Sequence, residues 1–283
     1  MRNVLITGAS TGIGEATALR LARSGWQVFA GVRKEADGEA LERAAVGSLT
    51  ALYLDVTDQG SIDGAVKGIE DQIGAAGLHG LVNNAGITVQ GVLEYLSLDD
   101  LRRQFDVNVT GQVAVTQAFL PAIRRAPGRI VFMSSIAGRA PSLPFVGPYA
   151  ASKKAIEAIA DSLRIELLPW RIEVSLVEPG SIATPIWDKG DETFDDIVGS
   201  MPAEGRERYG NAMDKARKLA TETGKRGIPA DEVAKRVEHA LTAKKPRTRY
   251  LVGKDAKARA IVENPLPDRL RDRLIGKVMG YKS

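Results

Sequence analysis

Tyr149 and Lys153 stand four residues apart in the run Tyr149-Ala150-Ala151-Ser152-Lys153. On a helix that spacing puts a phenol and an ammonium on one face, one turn from each other. A cation so placed favours the phenolate and lowers the tyrosine pKa from its usual value of about 10, so the hydroxyl can exchange a proton near neutral pH. Tyr149 is thus a candidate general acid or base, although two ordinary surface residues would show the same spacing. A second feature offers a place for a cofactor. Val4-Leu5-Ile6-Thr7 runs into Gly8-Ala9-Ser10-Thr11-Gly12-Ile13-Gly14, followed by Ala16, Leu19, Leu21 and Ala22 at helical spacing. The order is strand, glycine turn, helix. Glycine lets the backbone turn sharply and approach a pyrophosphate, and the helix start offers unpaired N–H groups and a positive dipole end. Gly8, Ser10, Thr11, Gly12, Ile13 and Gly14 are the candidates for that contact, a plain tight turn being the simpler account.

The residue after the second strand of such a unit contacts the adenosine ribose, a carboxylate suiting a free 2′-hydroxyl and a cation a 2′-phosphate. Here the strand ends in Arg33-Lys34 with no acid in place, so NADP(H) is favoured over NAD(H). Arg33 could also stack on adenine or point into solvent. Asp55, with Val56 beside it, could accept from the adenine amino group or only open the turn Asp55-Val56-Thr57-Asp58.

Composition narrows the chemistry further. The 283 residues include no cysteine and only two histidines, His79 and His239. A disulfide, a thiol nucleophile and cysteine-ligated metal sites are excluded, and no metal site is expected. Catalysis falls to Ser, Tyr, Lys or carboxylates. With 44% hydrophobic and 26% charged residues the chain can bury one large core. The formal charge of +4 is mild and gives no reason to expect nucleic acid as a partner. The start shows no signal-peptide pattern, and no run approaches the roughly 18 apolar residues of a membrane span. A cytoplasmic protein is expected.

Short apolar or β-branched runs at 3–7, 27–32, 49–54, 81–83, 129–133, 173–177 and 249–252 read as seven strands. Between them, 13–24, 61–73, 98–125 and 149–168 carry helical periodicity. The alternation predicts an α/β Rossmann-type fold: a doubly wound, mainly parallel seven-stranded sheet in a three-layer αβα sandwich, binding ligands beyond the carboxyl ends of its strands. One domain over 1–283 is expected, with a charged, Gly- and Pro-punctuated substrate lid at 186–225 and a helical C-terminal extension at 254–283. A plain surface excursion is the alternative to the lid.

Further motifs follow the strands where the crevice should lie: Asn83-Asn84-Ala85-Gly86, then Asn108, then Ser134-Ser135-Ile136-Ala137-Gly138, then Pro179-Gly180. Taken with the glycine loop and Tyr149-x-x-x-Lys153, they make the sequence resemble the short-chain dehydrogenase/reductase family, non-extended branch, from Asn3 to about Trp187. The resemblance implies a catalytic tetrad of Asn108, Ser135, Tyr149 and Lys153. Tyr149 would protonate the substrate carbonyl oxygen and Ser135 hydrogen-bond it. Lys153 would bind the nicotinamide ribose, and Asn108 would hold a water linking Lys153 to solvent. It also implies that Asn83, Ala85 and Gly86 border the cofactor and that Pro179, Gly180, Ile182 and Thr184 flank the nicotinamide amide. Ser134 is the alternative to Ser135, whose fourteen-residue separation from Tyr149 is one longer than usual, the extra residue being assigned to the 141–145 loop.

The expected function is hydride transfer between NADP(H) or NAD(H) and an alcohol or carbonyl carbon, the alternative being a dinucleotide-sensing regulator without turnover. Ile87, Val89, Leu143, Pro144, Phe145, Ile186 and Trp187 suggest an apolar substrate, steroid- or retinoid-like, or else simply pack the lid onto the body. The segments 169–174 and 249–254 resemble those of the retinol and 17β-hydroxysteroid dehydrogenase group. Leu270, Leu274, Ile275 and Val278 could form one face of a helix ringed by Arg269, Arg271, Arg273 and Lys277. Such a helix would dock on the chain's own body or a second subunit, or touch an anionic membrane. The resemblance adds an expected homodimer or homotetramer through the helices around Asn108 and Tyr149.

Overall fold

The computed structural model describes residues 1–183, 196–199, 201–262 and 266–281. Its strands are β1 (Arg2–Ile6), β2 (Trp26–Val32), β3 (Leu49–Tyr53), β4 (Gly80–Asn83), β5 (Arg129–Met133), β6 (Glu173–Pro179), β7 (Ile182–Ala183), β8 (Ile228–Pro229) and β9 (Arg249–Val252). Seven of these form one sheet in the order β3-β2-β1-β4-β5-β6-β9, every neighbouring pair parallel. All seven coincide with the strands read from the sequence. The short parallel pair β7–β8, joined at Ile182↔Ile228, was not anticipated.

Both faces of the sheet are buried, which is why its strands read as apolar runs. Side chains alternate between the faces. Val4, Ile6, Val28, Ala30, Val131 and Val177 pack on Ala18 and Leu21 of α1 (Gly12–Arg23) and on Val233 and Val237 of α9 (Ala230–Thr242). On the other side, Leu5, Phe29, Leu81, Phe132 and Leu176 pack on α3 (Gln59–Ile73), α5 (Gly111–Arg125) and α7 (Gly147–Glu166) through Ile69, Phe119 and Ile156. Burying a side chain such as Phe29 or Phe119 contributes about 1.5–3 kcal/mol. The three-layer sandwich therefore stands as expected, with the strand order reversing between β1 and β4, where such sheets bind ligands.

Three helical segments differ from the sequence reading. The stretch expected as one helix over 98–125 is α4 (Leu98–Phe105), a π-helical turn Asp106–Thr110 and α5. Gly111 lies so close to the neighbouring loop that a Cβ there would be 2.7 Å from the Val56 carbonyl oxygen. A π turn, common at functional sites, carries Asn108. A helix α2 (Glu35–Ala44), absent from the sequence reading, buries only Gly38 and Leu41 and so carries little periodic signal. Finally, the latter part of the irregular 186–225 segment is a 23-residue helix, α8 (Ala203–Lys225). Its glycines hid an inner face that includes Tyr209, Ala212, Met213 and Ala216. Helices α10 (Lys254–Val262) and α11 (Asp268–Met279) form the C-terminal extension, and α6 (Ile136–Arg139) is a single turn.

Candidate active site

The glycine loop joins β1 to α1 at the reversal point. Gly8 and Gly12 adopt φ of +63° and +62°, a conformation cheap only for glycine. A Cβ on Gly8 would stand 2.8 Å from the Ala85 Cα, and one on Gly14 would stand 2.2 Å from the Gly8 carbonyl oxygen. Thr11 precedes α1 in an extended conformation and its side chain makes no capping bond, so the helix start suits an anion. Asn84 locks the loop: its Nδ2 donates to the carbonyls of Thr7 (3.0 Å) and Gly8 (2.9 Å). Thr7 Oγ1 in turn accepts from the N–H groups of Asn84 and Ala85. Neither role has a signal in the sequence: Asn84 stands inside the Asn83-Asn84-Ala85-Gly86 motif, and Thr7 ends an apolar run.

The loop after β4 has no strand partner for its backbone and hangs from amide side chains four residues apart. Gln104 accepts from Val89 N–H and donates to the Ile87 carbonyl, while Gln112 donates to the Ala85 carbonyl. Asn108, wholly buried, accepts from Ile87 N–H at 2.8 Å and donates to the Ile87 carbonyl and to Ser152 Oγ. Both of its amide hydrogens are thus committed, one to the loop and one to Ser152 of α7. Gly86 lies open beside Asn108 and Lys153, a Cβ there being 3.7 Å from Lys153 Nζ. Asn83 is turned away: its Nδ2 donates to Thr116 Oγ1 in the core, so only its main chain can border the crevice.

Tyr149 and Lys153 share one face of α7, as the spacing required, with Nζ 5.6 Å from the centre of the Tyr149 ring. Ser135 caps α6, accepting from Ala137 N–H at 3.1 Å, and its side chain lies close enough to the Tyr149 hydroxyl to act on its pKa. Ser134 faces elsewhere, its buried Oγ unpaired among the described residues. The geometry therefore selects Ser135. One expectation is corrected: burial pushes the Tyr149 hydroxyl above its ordinary pKa, opposed by the nearby Ser135 side chain. Lys153, whose Nζ donates to the Met133 carbonyl at 2.8 Å, does not produce the expected lowering here. Burial also pulls the Lys153 ammonium down to about 8, against the opposing pull of Glu157.

Behind Lys153 lies a charge cluster that sequence reading missed. Arg249 of β9 pairs with Glu157 (3.0 Å), Asp161 (2.7 Å) and Glu178 (3.3 Å), and Arg139 reaches Glu178 at 3.5 Å. Glu178 is fully buried. Desolvation and the Glu157 charge raise its carboxyl to about 7, against the pull of Arg139 and Arg249.

Arg33 is exposed at the end of β2. Desolvation raises the Asp55 pKa, but hydrogen bonds from Thr57 N–H and Oγ1 and the Arg33 charge together hold it below the ordinary carboxylate value. Those bonds favour the turn-opening account of Asp55. Val56 is buried next to it. Pro179 ends β6, Gly180 N–H donates to the Val252 carbonyl, and Ile182 is buried in β7. Thr184, Ile186 and Trp187 lie outside the described residues. Among the other candidate pocket residues, Val89 is buried, and Ile87, Leu143 and Pro144 are half-buried. Phe145 packs with Val92, Met201, Met213 and Met279, the lid-packing alternative. The α11 apolar face is split: Ile275 and Met279 turn inward, while Leu270, Leu274 and Val278 are exposed.

Proton donor and anion-binding loop open on one crevice, the arrangement needed to move a hydride to or from a carbonyl carbon. The molecule is accordingly of the NAD(P)-dependent oxidoreductase class, acting on alcohol or carbonyl substrates. It belongs to the short chain dehydrogenase family, whose model matches residues 2–194. The chain is 36% identical over 282 residues to the NADPH-dependent 3-dehydrocapnine reductase of Ornithobacterium rhinotracheale, covering 98% of this chain and 97% of that one. To human retinol dehydrogenase 5 it is likewise 36% identical, covering 98% and 88% of the two chains, in keeping with the retinol-group resemblance. A short-chain dehydrogenase structure from Streptomyces avermitilis superposes with a TM-score of 0.77 at 26% identity, over 96% and 94% of the chains. No described helix is long and apolar enough to cross a membrane.

Proposed function

We propose that the protein interconverts an apolar ketone or aldehyde and its alcohol, with NADP(H) preferred to NAD(H). The observation that carries this reading is Tyr149, with Ser135 close by and the buried Lys153 5.6 Å from its ring centre, within the crevice that holds the glycine loop. A bound nicotinamide dinucleotide would supply or take the hydride. The N–H groups and side chains of Gly8, Ser10, Thr11, Gly12, Ile13 and Gly14 would hold its pyrophosphate. Arg33 would meet the 2′-phosphate, and Asp55 and Val56 would border the adenine. Ala85 and Gly86, with the Asn83 main chain, would line the ribose side, and Pro179, Gly180, Ile182 and Thr184 the carboxamide.

Tyr149 gives its proton to the carbonyl oxygen during reduction, and Ser135 donates a hydrogen bond to the same oxygen. Lys153 would bind the ribose through Nζ, and its ammonium charge favours the tyrosine phenolate. Asn108 keeps Gly86 and Ile87 in place, and a water on the Lys153 path would have to use its main chain or its remaining Oδ1 lone pair.

The Arg33-Lys34 pair and the NADPH named for the reductase relative support the cofactor preference. The half-buried Ile87, Leu143 and Pro144 support an apolar, retinoid- or steroid-like substrate. We further propose a lid over 186–225, and a homodimer or homotetramer through α5 and α7, where Val113, Leu120, Ile159 and Leu163 line a groove. Light scattering would measure the assembly. Cytoplasmic action is proposed from the sequence alone, and cell fractionation would test it.

The deciding experiment follows nicotinamide absorbance with NADPH and NADH against lipophilic ketones and aldehydes. Tyr149→Phe should lower turnover by at least about 100-fold while leaving dinucleotide binding intact. Better use of NADH would remove the Arg33 inference alone. Binding without turnover, unchanged by the substitution, would favour the dinucleotide-sensing regulator.

A further inference from the structure

We infer that Asp255, in the C-terminal extension, is a positioning residue for the cofactor, its carboxylate fixing the Gly180–Ser181 turn at the nicotinamide end of the crevice. The inference rests on the reading of that turn as part of the carboxamide site. Asp255 lies in the first turn of α10, far along the chain from the turn it serves, and its Oδ2 accepts from Ser181 N–H at 2.7 Å. A Cβ on Gly180 would stand 2.4 Å from each Asp255 carboxylate oxygen, and one on Gly253 would stand 2.4 Å from Oδ1. Two glycines, one on each segment, thus leave room for this one carboxylate.

The anchoring is double. Gly180 N–H donates to the Val252 carbonyl at 2.8 Å, so consecutive N–H groups of the turn are both held by the β9–α10 segment. A carboxylate acceptor makes the second bond the stronger kind. The next residue, Ala256, packs without exposure against Ile136 and Ala140 around α6, the helix capped by Ser135. One short segment therefore braces the cofactor turn and backs the helix that begins at Ser135. The family match, which ends at residue 194, does not include it.

The test compares the unmodified protein, Asp255→Ala and Asp255→Asn in their affinity for NADH and NADPH and for ADP-ribose and 2′-phospho-ADP-ribose, which lack only the nicotinamide. Asp255→Ala should weaken the complete dinucleotides about tenfold and the truncated ligands less than about twofold, and Asp255→Asn, still able to accept from Ser181, should recover most of the loss. Equal weakening of both ligand types, or none of either, overturns the inference. If the unmodified protein binds neither dinucleotide, the cofactor-site reading fails and the inference with it; if it binds and Asp255→Ala matches it, the inference alone fails. Amide hydrogen exchange at Ser181 in the unmodified protein needs no variant. Slow exchange is expected, and exchange as fast as in a free peptide overturns the assignment even if Asp255→Ala does not fold.

Discussion

The loop after β4 hangs from Gln104, Asn108 and Gln112 by directed hydrogen bonds, whereas the loop carrying Phe145 is held against α8 and α11 by Met201, Met213 and Met279. Hydrogen bonds fix position because they weaken steeply with angle and distance. Methionine contacts tolerate repacking because the side chain is unbranched and adjustable. On the proposed reading the dinucleotide meets the first kind of wall and the substrate the second. Phe145 touches both regimes. It holds a left-handed φ of +69°, its carbonyl accepts from Gly91 N–H at 2.8 Å, and it precedes Tyr149 by four residues.

The largest effect that would break this contrast is on the directed side. Gly14→Ala brings a Cβ to 2.2 Å from the Gly8 carbonyl, so the loop must shift, at a cost of about 1–3 kcal/mol and at least a tenfold loss of dinucleotide affinity. Calorimetric titration would measure it. Unaltered affinity would mean that the loop is as pliable as the wall around Phe145.

On the adjustable side, Met213, 1% exposed, is the probe. Met213→Ala should cost about 2–4 kcal/mol in urea unfolding, as cavities do, and should change KM for bulky apolar substrates with little change in dinucleotide affinity. An equal loss of both would join the two halves into one unit.

Glu178 sharpens the contrast through pH. Its carboxyl is raised from the ordinary 4.5 to about 7, so the native state holds a proton there that the unfolded chain gives up. The stabilisation from that proton is complete below pH ~4.5 and is lost as pH rises through about 7. Glu178→Gln should therefore gain on the parent protein by up to about 3 kcal/mol between pH 4.5 and 7, with no further gain above. Thermal unfolding across that range reads it directly. The smallest effect is expected at Gly210 in α8, where a Cβ meets nothing within 4 Å. Gly210→Ala should stabilise by about 0.5–1 kcal/mol, since alanine restricts the unfolded chain more.

Legibility in the sequence followed the same division. The strands of the sheet were legible because burial on both faces leaves unbroken apolar runs such as Val4-Leu5-Ile6. Tyr149 and Lys153 were legible because one helix turn fixes their relation locally. Helix α2 was not, with so little of it buried, and α8 was disguised by Gly205 and Gly210 and by charges on its outer face. The π turn at Asp106–Thr110 was invisible because it interrupts no apolar period, and the approach of Gly111 to Val56 beside it is a tertiary event.

By itself, then, the sequence determined whatever depends on neighbours along the chain: the alternation of strands and helices, the glycine turn before α1, and the shared face of Tyr149 and Lys153. The tertiary structure alone decided that Asn83 turns inward while Asn84 clamps the glycine loop, that Asp255 meets the Gly180–Ser181 turn, and that Glu178 is buried beside Arg249. The reason is that the energy of a polar side chain depends on its partners and its access to water. For residues brought together from distant parts of the chain, both are set only when the layers close.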